Sequence, residues 1–90
     1  MKLTNGNEVG KSLTYRQLYE LEKSNPELAE DYFKIQRKDD LNELDFIRVI
    51  YIAYCSEEKN PMSYEEFLDV VPSNRAVIQQ AYIDLLYPKN

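Results

Sequence analysis

The sequence predicts a mainly α fold: a small bundle of about five helices around a central apolar helix at about 41–57, with room for a short N-terminal β-hairpin. Three observations predict it. Residues Phe46 to Cys55 form a run in which all but Arg48 are apolar or aromatic, in a chain whose other segments are mostly charged. Such a run can serve only as the middle of a compact fold. Helix-start patterns, each a capping residue followed three positions on by a side chain that reaches back, recur along the chain. Finally, 90 residues with 43% apolar and 12% aromatic side chains supply one core, so 1–90 is a single domain.

The elements follow in chain order. Met1 and Leu3 alternate with Lys2 and Thr4, and Asn5-Gly6 is a strong two-residue hairpin signal, with Asn7 to Val9 as the return. So short a ribbon must lean on the helices. In Leu13-Thr14-Tyr15-Arg16-Gln17-Leu18, Thr14 is the cap, Gln17 reaches back, and Leu13 and Leu18 form a hydrophobic staple. That helix runs to about Lys23 with Tyr15, Leu18, Leu21 and Glu22 along one side. Ser24-Asn25-Pro26-Glu27 opens a second helix, because proline loses nothing at a first helical position. Leu28, Tyr32 and Ile35, flanked by Ala29 and Phe33, make its inward stripe.

Asp40-Leu41-Asn42-Glu43 reads as the cap of the central helix. At 100° per residue its apolar side chains leave only a narrow polar wedge holding Asp45 and Arg48, which can pair weakly. Ile52 projects into that wedge and is expected to be partly exposed. Met62-Ser63-Tyr64-Glu65-Glu66-Phe67 repeats the cap and staple, and Pro72 stops this short helix after Val71. Ser73 or Asn74 caps the last helix, which reaches Tyr87 before Pro88. Its inner stripe is Val77, Ile78, Ala81, Tyr82 and Leu85. Its outer side carries Ala76, Gln79, Gln80, Ile83 and Tyr87, with Leu86 at the margin. Lysine and glutamate normally fill such a face; here they do not.

Composition narrows the function. The chain holds 16 acids against 11 bases, net −5, with no histidine. An acidic domain is repelled by phosphate and anionic headgroups, so neither nucleic acid nor membrane is an expected partner. The N-terminus shows no signal-peptide pattern, and no apolar stretch approaches the ~20 residues of a membrane span. A lone cysteine, Cys55, forms no internal disulfide, fits a reducing cytoplasm, and reads as an inert core thiol.

No enzymatic activity is expected. Nucleophile-and-base catalysis usually needs a histidine, zinc sites need Cys or His clusters, and a phosphate loop needs more than Gly6 and Gly10. The acid pairs Asp39/Asp40, Glu57/Glu58 and Glu65/Glu66 sit near helix ends, where the helix dipole explains the first and third. No catalytic, cofactor-binding or metal-binding residue is assigned. Five residues are candidates for contacting a protein partner, or a second copy of the chain: Ile52, Ala76, Ile83, Leu86 and Tyr87.

Three stretches, taken in order, carry a resemblance: Leu3-Thr4-Asn5-Gly6-Asn7-Glu8-Val9 with Leu13-Thr14-Tyr15-Arg16-Gln17-Leu18-Tyr19-Glu20-Leu21-Glu22, then Ile50-Tyr51-Ile52-Ala53-Tyr54-Cys55, then Met62-Ser63-Tyr64-Glu65-Glu66-Phe67-Leu68. Together they resemble the tail assembly chaperones of long-tailed phages and prophages of Gram-positive bacteria. The likeness covers most of the chain through spacing and aromatic placement. It implies a small, acidic, mostly helical, non-enzymatic protein of the bacterial host cytoplasm, absent from the mature virion. Its implied partners are the tape measure protein and the tail tube protein, and it implies no cofactor. The alternative is an acidic helical inhibitor, or an immunity or regulatory protein acting by protein contact, including a mimic of DNA. Lysines and arginines that interrupt the acids, as in Glu20, Glu22, Lys23 and Glu27, Glu30, Asp31, Lys34, weigh against the mimic.

Overall fold

The computed structural model describes residues 1–87. Five helices account for most of them: α1 Tyr15–Ser24, α2 Pro26–Gln36, α3 Glu43–Glu57, α4 Tyr64–Val70 and α5 Arg75–Leu86. The mainly α bundle read from the sequence is the fold observed. The helix stop assigned to Pro88 lies outside the described residues.

Caps fix the boundaries. Thr14 Oγ1 accepts the Gln17 N–H (3.1 Å) and the Gln17 side chain accepts the Thr14 N–H (2.8 Å), so α1 starts where the sequence placed it. Asn25 serves two helices: its N–H closes α1 on the Leu21 carbonyl, and its side chain caps α2 ahead of Pro26. Ser63 with Glu66 starts α4, and Asn74 rather than Ser73 caps α5. The start of α3 is a correction. Asn42, not Asp40, is the cap, and Asp45, not Glu43, reaches back to it (3.0 Å). Lys38 Nζ also donates to Asp45 (2.8 Å), a partner the local pattern could not show.

α3 is the axle of the bundle. It packs on α5, α2 and α1, and α1 packs on α2. Val49, Ile50, Ile52 and Ala53 have no exposed surface, and Ile47, Tyr51 and Tyr54 on the remaining sides are buried as well. The expected wedge is therefore covered, and partial exposure of Ile52 is overturned: its relative exposure is 0%. Arg48 turns to Asp31 on α2 (2.6 Å) instead of Asp45, and its guanidinium lies over the Tyr64 ring at 4.5 Å. Periodicity locates a polar wedge along a helix; it does not say which neighbour will close over it.

α4 is anchored by Phe67, fully buried between the rings of Tyr51 (5.1 Å) and Tyr54 (5.4 Å). Both tyrosine hydroxyls also bond the Met62 backbone, Tyr51 donating to its carbonyl and Tyr54 accepting its N–H, each at 2.9 Å. The N-terminal segment makes a tight ribbon with a single antiparallel bridge, Lys2–Glu8, and no longer ladder. Its loop is longer by one residue than the Asn5-Gly6 turn expected. The Gly6 N–H bonds the Leu3 carbonyl (2.9 Å), and Gly6 sits at φ 93°, a turn followed by a left-handed residue. Leu3 and Val9 are buried from this ribbon, and the Thr4 N–H holds the Val70 carbonyl (2.8 Å) at the end of α4.

Candidate partner-binding surface

α5 lays Ile78, Ala81, Tyr82 and Leu85 against the core. The spacing of 100° per residue sends Ala76, Gln80, Ile83 and Tyr87 to the opposite side. All four are exposed, Ile83 at 47% and Tyr87 at 72%. Three of the five sequence candidates thus share one outward stripe: Ala76, Ile83 and Tyr87. Leu86 stands apart from it. It is half-buried and forms part of the wall of a groove of about 300 Å³ with Leu13, Tyr15, Leu18, Tyr32 and Leu85. Ile52 does not belong to any surface.

The stripe and the groove adjoin, because Leu86 is one turn from Ile83 on the flank that faces α1 and α2. On that flank Gln36 of α2 donates to the Tyr82 hydroxyl (3.2 Å). Tyr32 has its phenol pushed up in pKa, chiefly by burial and then by its neighbours Tyr82 and Tyr15, so it stays protonated. α5 carries few charges: Arg75 in its first turn, toward the side of Ile78, and Asp84, which takes the Gln80 side-chain amide at 2.9 Å.

Two readings of the sequence fail here. Tyr15, read along one side of α1 with Leu18 and Leu21, is 86% exposed at the lip of the groove while those two are buried, and Val77, placed on the inner stripe of α5, is exposed at its margin. In both helices the true inner arc is narrower than the apolar arc. The sequence reading also missed exposed Leu44 on α3 and Leu68 on α4. An apolar residue next to acids in a first or last helical turn is their only local signal.

Elsewhere, a hollow of about 390 Å³ between α1 and the end of α3 is lined by Glu20, Tyr51, Cys55 and Glu58 among others. Burial, ahead of opposing contributions from Tyr51 and Arg48, pushes the Cys55 thiol up, so it is protonated at neutral pH and a poor nucleophile. Glu20 is exposed and already paired with Arg16 at 3.0 Å. Among the described residues no His, Cys, Asp and Glu group is placed to hold a metal ion, and no helix is long and apolar enough to cross a membrane. The chain matches no protein-family model, no curated protein and no solved structure.

Proposed function

We propose that this chain is a non-enzymatic protein-binding chaperone of the kind that assembles phage tails. In this reading the outer stripe of α5 takes an apolar seam of the tape measure protein, and the bound chain recruits tail tube protein around it in the host cytoplasm. One observation carries the reading: the outer half of α5 offers Ile83 and Tyr87 to solvent on a side with few charges, in a chain of net −5. An uncovered apolar stripe rimmed by polar residues fits a helix laid against it, while the acids elsewhere keep the bound pair soluble. The groove beside Leu86 and Tyr15 supplies a pocket for a side chain of that helix.

Co-expression tests it. Fragments of a tape measure protein should stay in the supernatant with the wild-type chain and precipitate with the Ile83→Asp, Tyr87→Asp double variant. Both positions are exposed, so the variant should fold, which circular dichroism checks. A folded double variant that solubilises the fragments as well as wild type removes the stripe from the reading.

A further inference from the structure

At the other end of α5 lies a groove of different chemistry. The start of α3, the end of α4 and the start of α5 enclose a hollow of about 370 Å³ with an apolar lining of Ile47, Leu68, Val71, Pro72 and Ile78. Leu68 is exposed at its edge, and Leu44, on the same turn of α3 as Ile47, is 60% exposed. One carboxylate, Glu43, lines the hollow, and two more stand near exposed Leu68 on α4: Glu65 one turn before it and Asp69 directly after it. None of the three takes part in an ion pair among the described residues, which is true of most of the acids; only Glu8, Glu20, Glu30, Asp31 and Asp45 are matched by a positive group. One cation, Arg75, stands on the far rim.

We propose that this groove docks a basic amphipathic segment of a partner protein, seating an apolar side chain by Leu68 and Ile78 with Lys or Arg against Glu43 and Glu65. Charge selects that occupant. Acids that lack a base of their own repel a second copy of this −5 chain and any phosphate, and they attract cations. The apolar lining then holds what the charge has steered in, because a purely basic segment would leave it unfilled. Arg75 marks a polarity: the partner's bases lie toward α3 and α4, away from α5. This surface is separate from the α5 stripe, since Ile78 belongs to the core-facing side of α5 and Ile83 to the outer one.

The experiment is a titration of the full isotope-labelled chain, followed by amide NMR shifts, with a synthetic helical peptide of roughly 14 residues built from Leu, Ala and Lys. Its control carries Glu at every Lys position. The Lys peptide should shift the amides of Ile47, Leu68, Asn74 and Ile78, and its affinity should drop several-fold when salt is raised to about 0.5 M. The Glu peptide should leave them unmoved. Leu68→Ser and Glu65→Lys should each weaken binding by roughly three- to tenfold, and Arg75→Gln should strengthen it, a gain that misfolding cannot produce. The proposal is overturned by shifts confined to the outer stripe of α5, by equal response to both peptides, by affinity indifferent to all three variants, or by no binding at about 1 mM.

Discussion

α3 and α5 lack the charged outer face of an ordinary surface helix, yet the fold treats them in opposite ways. From Ile47 to Tyr54, α3 has neighbours on nearly every side, so Ile52 has no exposed surface although it stands on the turn after Arg48. α5 has α3 on one side and, among the described residues, nothing over Ile83 on the other, so Ile83 is almost half exposed. The two residues are both isoleucines on apolar helices, and their surroundings decide what each does. For Ile52 the apolar surface is already used in holding the bundle together. For Ile83 it is left uncovered among the described residues, which is what the proposed docking uses.

The sharpest way to break this contrast is to place the same charge at both sites. Ile52→Asp buries an unpaired carboxylate and should cost on the order of 4 kcal/mol or more, a large share of the roughly 5–13 kcal/mol expected for a domain this size. Ile83→Asp should stay within about 0.5 kcal/mol. Urea unfolding followed by circular dichroism measures both, and comparable losses at the two sites would erase the distinction.

A smaller effect probes the seam where α3 and α5 meet the N-terminal ribbon. Gly10 has φ 66°, and a Cβ there would lie 3.1 Å from Ile50 Cγ2 and 3.9 Å from Leu85 Cδ1. Gly10→Ala should therefore destabilise by about 1–2 kcal/mol, through the left-handed backbone and the pressure on Ile50. Gly6→Ala has a similar backbone problem at φ 93° but open space around its Cβ, so it should cost less. A larger loss at Gly6 in the same unfolding assay would mean the ribbon does not press on the α3–α5 seam.

The smallest effect concerns the exposed start of α3. The hydrogen bond from Lys38 holds the Asp45 carboxyl below its usual pKa; partial burial opposes this, while the Asn42 N–H and the Lys38 charge add to it. A carboxyl lowered on folding contributes stability that is present above its unfolded value near 3.9 and disappears as the pH falls through the folded value. Asp45→Asn should accordingly flatten the stability–pH curve below about pH 4 and leave its shape near neutrality unchanged. An acid limb identical to that of wild type would show that the Lys38 contact adds nothing to stability.

Much of the candidate surface was legible because α5 breaks the rule for exposed faces within a single helix. Ala76, Ile83 and Tyr87 could be placed on one side by spacing alone. Leu86 needed the fold, since its groove partners Leu13, Tyr15 and Tyr32 come from the segment before α1, from α1 and from α2. Ile52 was misread for the converse reason. Its polar neighbours Asp45 and Arg48 suggested solvent, but those side chains run to Lys38 and Asp31, which leaves Ile52 behind them in the core. The groove bounded by Leu68, Glu43 and Arg75 had no signature at all, because it exists only where three elements converge.

What the chain determined locally is its set of helices. Thr14, Asn25 and Ser63 start helices through side-chain bonds to the backbone three residues on, so these starts need no distant partner. The tertiary structure decided exposure: which apolar arcs were covered, which ion pairs crossed between helices, and where uncompensated acid came to border open apolar surface. Those outcomes depend on contacts between residues far apart in the chain, and a helical period carries no information about its neighbours.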